Sequence, residues 1–498
     1  MDIDLASDMC YTIMRRYGFD SRYLALPLMT MPQGNERGDI MRSKTMTEGT
    51  PWKHILRFSL PVLAGSLLQQ LYNTVDTIIV GKYLNEDALS AVGTTGSLVF
   101  LFLALATGFS SGNGIVVAQH YGAKNEQKVR ANASSGILFL MLLGIASAVI
   151  AFISARPAYT YVLNVDKSIL ELTVVYFRWY ALGLVFQFGY NIFSAILRAV
   201  GDSAATLYFL LISSVMNIGL DFLFVAVFKW GVAGAAIATD ISQAASFVAA
   251  YFYMSKKYPV FRFRLNEYKW DSELVRDTVK VGFPISLQLI IVSCGLTLIQ
   301  RAVNGFGKTM TASFTVGQRI EMYINLPCTA FQTTLATYTG QNIGAGKIER
   351  IKTGVRQTLV ISLIMTVMIS SVIWLSAEHI ITLFNLSEKA AGYCLSHLRA
   401  IAIINIVLSM YIPIFGVFQG SNHSGLPMLV ATGALGMRVL MTYLLRYSDF
   451  LGHTIIWWNG IFGFGMGFLI TWTCYLSGMW RKNASISGAA REETQAPR

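Results

Sequence analysis

Apolar residues dominate long stretches of this chain, and glycine, proline and clustered charge mark the gaps between them. Runs such as Leu98–Thr107 and Ile137–Ser154 recur along most of the length, and a helix needs roughly 20 such residues to cross the hydrocarbon core of a bilayer. Cutting at the punctuation predicts twelve spans. The first six are Ile55–Val80, Leu89–Gln119, Val129–Ser154, Ile169–Ala199, Ala204–Phe228 and Val232–Met254. The second six are Val279–Val303, Ala312–Asn342, Val355–Leu375, Tyr393–Phe418, Leu426–Leu445 and Thr454–Trp480. Several exceed what a perpendicular crossing needs, so tilt, kinks or protrusion are expected.

The two sets of six match each other. Pro61 opens the first span as Pro284 opens the seventh, and Gln119-His-Tyr-Gly122-Ala123 closes the second as Gln341-Asn-Ile-Gly344-Ala345 closes the eighth. Tyr176-Phe-Arg178 in the fourth corresponds to His397-Leu-Arg399 in the tenth. The stretch from Leu197 to Ser203 corresponds to that from Phe418 to Ser424. The offsets are 223, 222, 221 and 221, and four coincidences in register imply duplication. An even number of spans per unit returns the chain to its starting side, so the repeats are parallel, related by an axis along the membrane normal. The expected fold is therefore an all-α integral membrane protein of about twelve helices, built as two parallel six-helix bundles with pseudo-two-fold symmetry. Its expected parts are a polar, disordered N-terminal extension (1–50), the first bundle (51–254), a basic linker (255–277), the second bundle (278–480) and a short tail (481–498).

Composition agrees with a bilayer location: 54% of the residues are hydrophobic and 13% charged, where soluble domains carry about a quarter charged. The net charge of +12 is scattered between apolar runs instead of gathered on one face, so no nucleic-acid partner is expected. Lys and Arg concentrate in one set of connections (Lys124, Lys128 and Arg130; Lys256 to Lys269; Lys347 to Lys352) and beside both ends of the spanning region. By the positive-inside bias both termini are expected on the cytoplasmic side of a bacterial plasma membrane. The first ~50 residues lack a sustained apolar core, so a cleavable signal is not expected, and the segment from Met46 reads like a cytosolic start ahead of the first span. Five dispersed cysteines and six scattered histidines show no ligand spacing, so neither disulfides nor structural zinc are expected.

Polar residues inside the spans fall on helical faces. Gln69, Asn73 and Asp76 line one face of the first span, and Gln187, Asn191, Ser194 and Arg198 one face of the fourth. Ser213, Asn217 and Asp221 line the fifth; Gln318, Glu321, Asn325, Thr329 and Gln332 line the eighth. Hydroxyls and amides often glue helices together, but a carboxylate at membrane depth is costly and marks a pathway or ion site. Two carboxylates in one dry pocket, with amide and hydroxyl oxygens beside them, can hold a proton or a dehydrated monovalent cation. Arg178 and Arg399 are repeat-related, and a structural role, pairing with carbonyls or a loop acid, is expected for both. The glycines at 460, 463, 465 and 467 point to close helix packing.

The run Pro61 … Tyr72-Asn-Thr-Val-Asp76-Thr-Ile-Ile-Val-Gly81, the duplicated Gln-x-x-Gly-Ala and the Gly201-Asp202-Ser203 turn together resemble the multidrug and toxic compound extrusion (MATE) family, over roughly Trp52 to Trp480. The resemblance implies two bundles around a cavity that faces each side in turn, and export of cationic and amphipathic compounds in exchange for protons or sodium ions. It is nearest the DinF-like branch, whose ion site lies in the N-terminal bundle. That pattern places the coupling site at Asp76, Asn217, Asp221 and Thr239. The branch with acids on the seventh and tenth spans fits poorly, since those spans hold no Asp or Glu. Asp240 lies outside the pattern, and with Glu321, Gln69, Asn73, Gln187, Asn191, Gln318 and Asn325 it stands as a further candidate for ion or substrate. No cofactor is expected, no metal beyond Na+ at the coupling site, and no partner chain: the protein is expected to work as a monomer on small-molecule drugs or organic cations. A lipid-linked precursor flippase of the same superfamily is the alternative, which would favour a strongly basic cavity. An embedded enzyme would need a clustered nucleophile–base or metal constellation; no HExxH is present, and Gly108-Phe-Ser-Ser-Gly112 matches GxSxG only in letters, inside the apolar second span. No ATP-binding GxxxxGK[ST] is present either, so a gradient must supply the energy.

Overall fold

A computed structural model of the chain describes residues 45–481, apart from Leu383, Asn385 and residues 449–451. The chain is helical throughout this range: α1 (Pro51–Tyr83), α2 (Glu86–Gly122), α3 (Glu126–Pro157), α4 (Lys167–Ala199), α5 (Ser203–Asp221), α6 (Gly231–Lys257), α7 (Ser272–Asn304), α8 (Lys308–Gly344), α9 (Ile348–Thr382), α10 (Glu388–Ser409), α11 (Ile412–Gly420), α12 (Gly425–Leu445) and α13 (Ile455–Leu476). Several begin where the sequence supplies a cap. Asn85, Asn125, Asp166, Asp271 and Ser387 each accept a first-turn N–H that the helix itself leaves unpaired.

Among the described residues, ten helical segments are long and apolar enough to cross a membrane. The two remaining spans, α1 and α8, carry polar stripes. The tenth span departs from the continuous helix expected over Tyr393–Phe418: it is two helices, α10 and α11, meeting at Met410 and Tyr411. Pro413 explains the break, because it has no N–H to offer the carbonyl of Ser409. Wider π-helical turns extend α3 (Ala158–Val162) and α5 (Phe222–Val227).

The helices gather into two lobes with matching neighbours. In the first, α4 packs against α2, α3 and α6, and α5 against α1 and α6. In the second, α10 packs against α8, α9 and α13, and α12 against α7 and α13. Tyr159, Phe177 and Leu184 fill the α3–α4 seam, and Ile373, Cys394 and Leu398 fill its copy. The lobes meet through α2 with α7 and α8, and through α1 with α8. Gly112 lies against Gly282, Asn113 donates to Asn132 Oδ1 (2.9 Å) and Thr278 Oγ1 (3.2 Å), and Ile55 and Phe58 join Phe331, Leu335 and Tyr338 in one cluster.

All of these contacts lie toward the basic connections, and the tightest is where the duplicated motifs cross. Gln119 Nε2 donates to the Gly420 carbonyl (2.9 Å), and its copy Gln341 Nε2 donates to the Ala199 carbonyl (2.7 Å). A Cβ on Gly122 would fall 1.9 Å from the Gln341 carbonyl oxygen, and one on Gly344 would fall 1.9 Å from that of Gln119. Each motif is thus the surface against which the other closes.

The expected disordered extension falls mainly on residues outside the description, but its last stretch is held in place. The Met46 N–H donates to Gln341 Oε1 (2.8 Å), Lys347 reaches the Thr47 carbonyl (2.9 Å), and Arg350 donates to the carbonyls of Met46, Glu48 and Gly49 (3.1, 2.7 and 2.7 Å). The basic linker is pinned as well. Arg130 donates to the carbonyls of Val260 and Arg262 (both 2.9 Å) and pairs with Glu267 (2.9 Å). At the turn after α4, the buried Asp202 Oδ2 accepts from Tyr253 and Lys257 (both 2.9 Å) and from Tyr258 (2.7 Å).

Candidate functional site

Three helices of the first lobe bring the expected coupling residues together. The 3.6-residue repeat puts Asn217 and Asp221 on one face of α5. Both are buried, with Asp221 fully excluded from solvent, and α1 sets the half-buried Asp76 opposite them. The two carboxyl groups are near enough to interact directly. Asn217 Nδ2 donates to Thr239 Oγ1 on α6 (3.3 Å), and the Thr239 hydroxyl in turn lies 3.2 Å from the Ala235 carbonyl.

What this site lacks is donors. Among the described residues, Asp76 Oδ1, Asn217 Oδ1 and both carboxylate oxygens of Asp221 are buried without a hydrogen-bond partner. Buried acceptors are nearly always paired, and four orphans in one place leave a cluster that a proton or a small cation would complete. The donor set is entirely oxygen, as a hard cation requires. Among the described residues no three His, Cys, Asp or Glu side chains cluster as a metal site. Tyr72, Tyr176 and Tyr180 surround the acids closely enough to feel their charge. The sequence reading passed over these tyrosines, though Tyr72 lies four residues before Asp76 on the same helix face.

The other candidates divide. Gln69 and Asn73 are exposed on α1, a turn or two before Asp76. Asn191 spends its amide on the Gln187 carbonyl of its own helix (2.8 Å). Asp240 presses against α4, its Oδ1 filling the space a side chain on Gly183 would need. Arg399 pairs with Glu378 on α9 (3.4 Å), whereas Arg178 has no acid or carbonyl partner among the described residues. It rests instead over the Phe152 ring, 5.2 Å from its centre.

The second lobe holds a cavity of about 640 Å³ between α7, α8, α11 and α12, and Gln318, Glu321 and Asn325 all line it. It also takes in Arg438 and Phe464, which the α8 stripe alone did not indicate. A shallower groove of about 730 Å³ runs between α1 and α9 at the basic end, past Trp52, Lys352 and Arg356, and none of the expected site residues lines it. The glycines of α13 pack closely as expected at 460, 463 and 467, while Gly465 faces open space.

Against known proteins, the MatE family model matches residues 61–223 and 284–444, two stretches that begin 223 residues apart, as the internal repeat does. The chain is 28% identical over 440 residues to the probable multidrug resistance protein YoeA of Bacillus subtilis, covering 86% of this chain and 94% of that protein. It is 24% identical over 447 residues to the probable multidrug resistance protein NorM of Thermotoga maritima, covering 87% and 94%. Among solved structures, a MATE in complex with MaD3S superposes with a TM-score of 0.82 at 23% identity, over 90% of this chain and all of the other. A MOP superfamily transporter from Pyrococcus furiosus superposes with a TM-score of 0.81 at 24% identity, over 90% and 98%.

Proposed function

The chain belongs to the MatE family, and from that premise we propose that this multi-pass membrane protein is a secondary active multidrug exporter. Entry of H+ or Na+ at the α1–α5–α6 site drives efflux of cationic and amphipathic small molecules across a bacterial plasma membrane. The observation that carries the coupling site is the acid pair itself: Asp76 and Asp221 face each other across two helices with three of their oxygens unpartnered, beside Asn217 and Thr239. The probable multidrug resistance relatives support the cargo class.

A cation at this site ties α1 to α5 and α6. The same α1 runs on to Phe58 and Ile55, which pack into the second lobe. Eighteen residues at 1.5 Å each separate Asp76 from Phe58, about 27 Å of helix. Occupancy of the ion site is thereby linked to the contact that closes the basic, cytoplasmic side, and a ligand shifts such an equilibrium by its differential affinity for the two states. Antiport follows when ion and drug each favour the state the other disfavours. Asp240 and Arg178 play no direct part in this scheme.

Replacing Asp221 or Asp76 by Asn removes the charge that attracts the ion while keeping the shape of the side chain. Both variants are expected to insert at wild-type levels, measured on purified membranes, and to lose gradient-driven dye efflux. Wild-type drug resistance from both would defeat the assignment.

A further inference from the structure

Glu321 on α8 and Arg438 on α12 line the same cavity of the second lobe and also a smaller recess beneath it. They do not form an ion pair with each other, and Glu321 has no hydrogen-bond partner among the described residues. An acid and a base sharing a partly dry cavity attract strongly, so holding them apart requires a scaffold, and Arg438 has one. Its Nε donates to the buried Asn459 Oδ1 (2.8 Å), and Asn459 is itself fixed by donating to the Ile456 carbonyl (2.8 Å). Phe464 covers one face of the guanidinium (4.8 Å), and Gly463 makes room for its stem, since a Cβ there would lie 2.4 Å from Arg438 Cγ. Among the described residues the terminal amino groups of Arg438 have no hydrogen-bond partner.

The recess that both charges line is also lined by Asn405, 1% exposed, with both side-chain polar atoms unpartnered among the described residues. His397 lines it too, its ring stacked between Phe314 and Trp457 and its Nδ1 unpartnered. A buried amide with neither end satisfied is costly and marks a place where a polar group belongs.

We infer that this cavity is a binding site for zwitterions, with the ligand's ammonium at Glu321, its carboxylate at Arg438 and its apolar body against Tyr411, Phe415 and Phe464. The volume suits a drug-sized molecule, and an Arg fork suits a carboxylate. The inference deepens the exporter reading, in that it takes the occupant to be cargo, and it concerns a site in the other lobe from the coupling acids.

The test is equilibrium binding to purified protein in nanodiscs, without any gradient, using three fluorescent probes. These are Nα-dansyl-lysine, its methyl ester (cation only) and its Nε-acetyl derivative (anion only). The wild type is expected to bind the zwitterion about tenfold more tightly than either single-charge probe, the factor one charge-assisted contact supplies. Arg438→Gln is expected to shrink the zwitterion-to-ester ratio to within about twofold, and Arg438→Lys to restore part of it, with both variants eluting as monodisperse protein. Glu321→Gln is expected to do the same to the zwitterion-to-acetyl ratio. Equal affinities of the wild type for all three probes, or an unchanged ratio in Arg438→Gln, would overturn the inference even if ion-driven dye efflux persists. Conversely, a zwitterion preference that survives alongside failed ion coupling overturns the coupling reading alone.

Discussion

Replacing Gly122 by alanine adds one carbon at the point where the two copies of the Gln-x-x-Gly-Ala motif cross. That carbon would lie 1.9 Å from the backbone oxygen of Gln341. Carbon–oxygen contacts settle near 3.3 Å, so the lobes must part by about 1.4 Å at the crossing. A backbone carbonyl in the middle of a helical turn cannot swing aside as a side chain would. The same separation takes the Gln119–Gly420 and Gln341–Ala199 bonds, 2.9 and 2.7 Å here, out of hydrogen-bond range. Two buried bonds are worth about 1–3 kcal/mol together, and the overpacking itself costs about as much. Alanine's better helix propensity returns up to about 1 kcal/mol, but in every state alike. The net bias against the state closed on the basic side is at least about 2 kcal/mol, roughly a thirtyfold or larger shift in its equilibrium. Spin labels at Glu126 and Thr353, both exposed and in different lobes, report it by pulsed dipolar spectroscopy in a cysteine-free background. The Gly122→Ala and Gly344→Ala proteins are each expected to move population from the short to the long distance. Superposable distance distributions in wild type and both variants would refute the reasoning.

Three further predictions concern the surroundings of the lobes. Asp202→Ala leaves Lys257, Tyr253 and Tyr258 without their common acceptor and should cost roughly 3 kcal/mol, read as a lower melting temperature in detergent; an unchanged melting temperature would show that the hub contributes nothing. Arg350→Ala removes three bonds to the segment before α1, so amide exchange at residues 46–50 should speed up while α9 stays protected. The Arg264 N–H above all, with Arg130 beside it, holds the Glu267 carboxyl below its ordinary value of 4.5. A depressed acid stabilises the fold above its unfolded pKa and loses that contribution as pH falls through the lower folded one. Exchange protection of the 260–267 linker should therefore be flat at neutral pH and fall only below about pH 4.5; a fall near pH 7 would assign the linker's hold to some other group.

Much of this architecture was legible from the chain itself. Length and period fix a helix in hydrocarbon, where every backbone group must be satisfied within the segment, and the nearly constant offset between the motifs revealed the duplication. The i, i+4 spacing of Asn217 and Asp221 put both on one face of α5, and that face does turn toward Asp76. Contacts between lobes were less accessible. Nothing local announces that Gln119 reaches Gly420 while Gln341 reaches Ala199, because the partners are more than a hundred residues apart. The break at Met410–Tyr411 had a signal in Pro413 that the apolar run concealed. Asn405 and His397, two turns apart on α10, were hidden for a different reason: a polar residue's importance depends on being left unpartnered, and only packing decides that. Arg178 and its copy Arg399 each rest over an aromatic ring, Phe152 and Trp374, and only Arg399 adds an acid, Glu378.

The central claim is that a cation gradient, acting through Asp76 and Asp221, drives export. The most direct measurement is efflux of a cationic dye from vesicles holding the purified protein, with a proton gradient and a sodium gradient imposed separately. The account predicts that at least one gradient accelerates efflux in the wild type and that neither does so in Asp221→Asn. Efflux indifferent to both gradients, or equal acceleration in the variant, would contradict it.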